Sequence, residues 1–189
     1  MKTAGYDTSE AGKVWTNIIA ESEAAGRDRP DPFFATHPPS EERVSALNRL
    51  AVKDGGEPGK LNEDQFLDHI LPHRAAWLED ELDLGRYAEM QTVLDRLKQA
   101  PRGLGVVWYY QGELSRRRAE DGDMVAAVSA LRQALTYDDV PPEAYRSLGL
   151  VHWMQGRNEL ASASFRRYLD AAPRASDAAM ITHYIKQLR

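Results

Sequence analysis

Three glycine turns at similar intervals constrain this chain more than any other feature. Leu84-Gly85-Arg86-Tyr87, Asp121-Gly122-Asp123-Met124 and Gln155-Gly156-Arg157-Asn158 each separate two stretches of helical periodicity. Gly85 and Gly122 lie 37 residues apart, and Gly122 and Gly156 lie 34 apart. A helix pair cannot bury its apolar face alone. Pairs therefore stack, and a glycine at the turn lets antiparallel helices meet closely.

The interval between Gly122 and Gly156 is the period of the tetratricopeptide repeat. The pattern is fullest in the last repeat. Tyr145, Leu148 and Gly149 take first-helix positions, Ala161, Phe165, Tyr168 and Leu169 take second-helix positions, and Pro173 follows. The middle repeat supplies Trp108, Gly112, Ala127, Leu131, Ala134, Leu135 and Pro141. The first is weaker, with Trp77, Met90, Leu94, Leu97 and Pro101. Ser176 to Leu188 reads as a final helix with Ile181, Tyr184 and Leu188 on one side, as in the caps that close such stacks. The predicted fold class is all-α: antiparallel helix pairs stacked as a short tetratricopeptide-like solenoid, preceded by an N-terminal helical segment.

That segment has its own signals. Asp7 and Glu10 suggest a capping box, with Ala11, Val14, Trp15, Ile18 and Ile19 at helical spacing to about Ala25. A polar loop follows, marked by Pro30 and Pro32. Ser40 is a good N-cap for a second helix, whose buried side is expected at Val44, Leu47, Leu50 and Ala51. Lys53 to Lys60 holds three glycines and a proline, and marks a linker. The expected organisation is an N-terminal segment over 1–53, a linker over 54–60 and a repeat domain over 61–189. Asn62 and Gln65 suggest a short helix through Phe66, Leu67 and Ile70.

Composition limits function. With a net charge of −5, the chain gives no reason to expect nucleic acid as a partner. It has no cysteine, which excludes disulfides and thiol chemistry. No apolar run approaches the roughly 18 residues of a membrane span, and no secretory signal is visible at the N-terminus. There is no phosphate-binding loop, no nucleophile elbow and no dinucleotide turn. The run Arg116-Arg117-Arg118 is too short for a nucleic-acid claim.

The stretch Ala4-Gly5-Tyr6-Asp7, Glu10-Ala11, Val14-Trp15 and then Phe33-Phe34-Ala35-Thr36-His37-Pro38-Pro39-Ser40-Glu41-Glu42-Arg43-Val44 resembles a region of the HtpX-like and BepA-like zinc metallopeptidases. In that family it follows the active-site helices, and several bacterial members continue into tetratricopeptide repeats. The resemblance covers roughly residues 1–52, with 60–189 as the repeats. It implies a full-length zinc endopeptidase of the bacterial periplasm or membrane surface. The departure is large, because no H-E-x-x-H occurs here and the upstream glutamate ligand is missing. The chain alone is expected to be no enzyme and to hold no metal. Only His69 and His73 have an i, i+4 spacing, no glutamate follows His69, and Pro72 is expected to interrupt their helix.

The resemblance singles out His37, which in the intact family lies near the zinc cleft and is expected to approach the open metal position. In a chain without zinc ligands, its expected role is to fix a turn before two prolines. Arg43 either braces that cleft or pairs with a neighbouring acid such as Glu42. Phe33 and Phe34 are expected in ordinary packing, with exposure toward a catalytic domain as the alternative. In tetratricopeptide arrays the first helices line a peptide groove. Counted from Gly112 and Gly149, the groove positions are Tyr109, Glu113, Arg116 and Arg117, then Arg146, Leu150, Trp153 and Met154. Arginines beside aromatics suit a peptide with carboxylates and apolar side chains. The alternative is a solvated face, and the three-residue difference between the intervals leaves the register open.

The expected function is thus the non-catalytic C-terminal portion of a zinc metallopeptidase, with repeats that bind protein or peptide clients. The alternative is a stand-alone binding scaffold. The implied partners are clients, a catalytic domain, and a second copy of the chain through the apolar side of residues 1–52.

Overall fold

The structure, a computed structural model, describes residues 1–26, 40–53 and 58–188. All regular elements among them are helical: α1 (Glu10–Ala24), α2 (Ser40–Lys53), α3 (Glu63–Asp83), α4 (Tyr87–Leu97), α5 (Leu104–Arg118), α6 (Asp123–Ala134), α7 (Glu143–Met154), α8 (Asn158–Ala171) and α9 (Ala178–Gln187), with a single 3-10 turn at Lys2–Ala4. His37, Phe33, Phe34 and most of the expected linker lie outside the described residues. Contacts divide the chain into two compact units, one of 1–73 with 88–93, the other of 74–87 with 94–189.

In the first unit α1 packs on α2. They meet at Gly12, where an added Cβ would run into the side chain of Asn48. The expected capping box does not form. The Asp7 carboxylate instead accepts from the Ser9 N–H (2.9 Å) and hydroxyl (2.7 Å), while Glu10 pairs with Lys13 at 2.6 Å. Residues 5–7 and 60 are joined by a short backbone bridge, with the Lys60 N–H donating to the Gly5 carbonyl at 2.9 Å. Gly59 lies against the Asp7 backbone with no room for a side chain. Two expectations need correction. Leu50 is exposed rather than buried, as are Val14 and Ile18, because the glycine-to-asparagine contact sets which helix faces meet. Pro72 does not interrupt its helix, since α3 runs unbroken through it. The proline removes one donor, but the rest of the helical ladder on both sides holds the conformation.

In the second unit α5 packs on α6, α6 on α7, α7 on α8 and α8 on α9, and α5 also touches α7. Gly85, Gly122 and Gly156 all adopt the left-handed conformation between consecutive helices, with φ of 68°, 85° and 72°. After α7 the Gly156 N–H donates to the Trp153 carbonyl at 2.8 Å and the Arg157 N–H to the His152 carbonyl at 2.9 Å, a helix-ending pair that requires the left-handed residue.

Two further glycines set how the helices meet. A Cβ on Gly112 would come within 2.6 Å of Leu131 Cγ, and one on Gly149 within 2.5 Å of the Phe165 ring. Leu131 and Phe165 are fully buried. Both hairpins therefore join a first-helix glycine to the same relative position of the second helix. The unequal intervals find their cause here. α5 has 15 residues and α7 has 12, and the extra turn falls after Gly112, where Arg116 to Arg118 sit. Asp139, in the connection before α7, caps the start of α5 by accepting from the Gly105 N–H at 3.0 Å.

Candidate functional site

The first-helix residues singled out in the sequence do come together in the second unit, but mostly as a closed network. Glu113 is almost completely buried on α5. It accepts two hydrogen bonds from Arg116, at 2.7 and 2.6 Å, in the paired geometry that suits a guanidinium and a carboxylate. Burial alone would raise its pKa. Arg116, with Arg117 behind it, outweighs that and holds the carboxyl below its ordinary range. Arg117 reaches back to α3, to Asp83 at 2.5 Å and Glu79 at 2.6 Å. Arg118 turns the other way and grips Asp123 at 2.9 and 2.6 Å. Asp123 also accepts from the Glu120 N–H at 2.9 Å, so one buried carboxylate locks the turn between α5 and α6.

Tyr109 is buried beside this network, its ring edge-on to Tyr110 with centroids 4.9 Å apart. Burial raises the pKa of both phenols, and nearby carboxylates raise it further. On α7, Arg146 donates to Asp177 at 2.6 Å and lies over the Tyr168 ring at 5.6 Å. Tyr168 donates to the same carboxylate at 2.6 Å. Its own pKa is pushed up to about 12, first by burial and then by that hydrogen bond. Trp153 packs into an aromatic cluster with Phe165 (6.4 Å, edge-on) and Tyr184 (4.7 Å). Leu150 packs against the same cluster, and Met154 is exposed.

Arg116, Arg117 and Arg146 are therefore occupied by the protein's own carboxylates, and Trp153 by its own core. In the first unit Arg43 lies over the Trp15 ring at 4.3 Å, a cation–π contact rather than a pairing with Glu42 read from the sequence. His69 directs Nδ1 at the Gln65 carbonyl (2.7 Å). Among the described residues no three His, Asp or Glu side chains are grouped to hold a metal, and no helix is long and apolar enough to cross a membrane.

Sequence reasoning missed a different place. Val128, Ser129 and Arg132 of α6, Thr136 in the turn after it, and Gln155 and Arg157 after α7 line an open depression of about 560 Å³. Neither guanidinium has a hydrogen bond or ion pair among the described residues. Three residues before Gln155 in the chain, His152 of α7 is buried, and its Nδ1 and Gln155 Oε1 are both without a hydrogen-bond partner. Burial lowers the pKa of His152, and the charges of Arg132 and Arg157 lower it further. The sequence carries no distinctive signal for them, since Arg132 sits on a regular second helix and Arg157 in the turn before α8.

No protein-family model matches the chain, and neither a curated protein nor a solved structure matches it.

Proposed function

We propose that the second unit is a tetratricopeptide-like stack of helix pairs that binds protein or peptide clients. One observation carries this reading. Two successive hairpins repeat the same glycine contact, Gly112 on Leu131 and Gly149 on Phe165, across left-handed turn glycines. Stacked pairs of this kind offer extended surfaces, and an extended surface without grouped catalytic side chains is suited to binding.

The resemblance of the N-terminal segment supports a more specific reading. In it the chain is the non-catalytic portion of an HtpX-like or BepA-like zinc metallopeptidase of the bacterial periplasm or membrane surface. The residues in this sequence do not fit zinc by themselves, since the H-E-x-x-H pair is absent and His69 is turned to a backbone carbonyl. No catalytic step is therefore assigned to them. The competing reading is a stand-alone scaffold.

Two measurements separate these. Photo-crosslinkers placed at exposed positions of the second unit, such as Val125 and Met154, should yield adducts with other polypeptides in the source cells. Absence of any adduct would remove the scaffold reading. An immunoblot of the same cells should show the native product well above 21.2 kDa if it carries a catalytic domain. A band at that mass would remove the peptidase reading and leave the scaffold.

A further inference from the structure

The arginines of the second unit differ in what they meet. Arg116, Arg117 and Arg118 of α5 and Arg146 of α7 are bound to the protein's own carboxylates. Arg132 on α6 and Arg157 at the start of α8 are not, and they share one depression. No acidic residue lines it, although the chain as a whole carries a net charge of −5. Both guanidinium charges lower the pKa of one buried imidazole, that of His152. Ser129 and Gln155 add neutral hydrogen-bonding groups to the walls, and Val125 and Val128 add an apolar flank.

We propose that this depression binds an acidic peptide segment of a client, with a carboxylate held between Arg132 and Arg157 and a neighbouring apolar side chain on Val125 and Val128. Two forked donors on separate elements that line one depression can fix both the charge and the direction of a carboxylate. The apolar flank argues for a side chain beside the charge, and so for peptide rather than a free inorganic anion. The site belongs to a second helix and the turn after α7, and none of its lining residues is one of the first-helix residues expected to line a groove. The assignment rests on the peptide-binding reading given above and names its ligand chemistry.

The test uses the full chain and an array of short labelled peptides pairing leucine with glutamate or aspartate. Matching peptides carry glutamine or asparagine, and inorganic phosphate serves as a competitor. Acidic peptides should bind more tightly than their amide counterparts by about tenfold or more, the usual value of hydrogen bonds to a charged group. Arg132→Ala and Arg157→Ala should each remove most of that preference, while Arg166→Ala, a surface change outside the depression, should leave it. All three positions are exposed, so unchanged thermal melting checks that the variants fold. Ring resonances of His152 should shift on adding acidic peptide at fixed pH. Peptides that bind without charge preference, or a preference that survives both arginine changes, would overturn the site and leave the scaffold reading intact. Failure of every peptide to bind would overturn the site and count against the scaffold reading as well. Phosphate binding as tightly as the acidic peptides would make this a general anion site and overturn the peptide assignment.

Discussion

The α5–α6 hairpin and the α7–α8 hairpin follow one plan and are held by different chemistry. Each presses a first-helix glycine onto a large buried residue of its second helix. Beyond that contact, the first is fastened by an ion pair, Arg118 to Asp123, beside a second pair within α5, Glu113 to Arg116. The second is fastened by rings, with Trp153, Phe165 and Tyr184 in mutual contact and α9 packed over them. The longer α5 explains the difference. Its additional turn carries charges that must find partners, and they find them on α3, within α5 and at the head of α6. The glycine contact is therefore what the two hairpins share, while the surrounding fastening differs.

Core truncation should break the comparison most. Phe165→Ala is expected to cost about 3–5 kcal/mol, because it empties the centre of the aromatic cluster. Leu131→Ala should cost somewhat less, about 2–4 kcal/mol, since fewer atoms are removed. Urea denaturation followed by helical circular dichroism measures both, and equal losses would argue that the ring cluster adds nothing beyond a buried leucine.

Overpacking comes next. Gly149→Ala places a methyl against a ring held on several sides, and should destabilise by about 1–3 kcal/mol despite the better helix propensity of alanine. Gly112→Ala meets an aliphatic side chain with more freedom to turn and should cost less. A larger loss at Gly112 in the same denaturation series would reverse that ranking.

The ionic fastening should give smaller effects that depend on pH. Asp123→Asn is expected to cost about 1–2 kcal/mol near neutrality, through loss of charge-assisted hydrogen bonds. Asp123 is held below its ordinary pKa, first by the hydrogen bond from Arg118. A carboxyl depressed in the folded state contributes in full above its unfolded pKa of about 4 and loses that contribution as pH falls through the depressed value. The penalty of Asp123→Asn, measured by denaturation at several pH values, should therefore shrink below about pH 4. A penalty that stays constant down to acid would show that the carboxylate charge is not what holds the turn. The least effect is expected at Ala119, a non-glycine residue with φ of 55° at the end of α5. Ala119→Gly relieves backbone strain but loosens the unfolded chain, so melting should change by no more than about 1 kcal/mol in either direction.

The hairpins were legible in the sequence because their signals are local. A glycine between two periodic stretches can be read from a few residues, and Gly85, Gly122 and Gly156 all sit at turns. The buried positions Met90, Leu94, Leu131 and Phe165 follow from helical spacing in the same way. What could not be read is pairing over distance. Arg117 meets Glu79 and Asp83 across the turn and a whole helix, and Arg146 meets Asp177 beyond α8. An arginine destined for such a partner looks, in sequence, the same as one left free for a ligand. That is why Arg116, Arg117 and Arg146 stood out as groove residues while Arg132 and Arg157 did not. Pro72 failed for a related reason, since helix-breaking by proline is a local preference that the flanking turns of α3 override.

The equivalence of the two hairpins is most directly tested by double-mutant cycles on the glycine contacts. Gly112→Ala is combined with Leu131→Ala, and Gly149→Ala with Phe165→Leu, with Gly112→Ala and Phe165→Leu as the crossed control. The account predicts that shrinking the second-helix residue relieves the alanine, giving a coupling of about 1 kcal/mol or more in each matched pair and near zero in the crossed pair. Additive losses in either matched pair would contradict a shared register and, with it, the repeat.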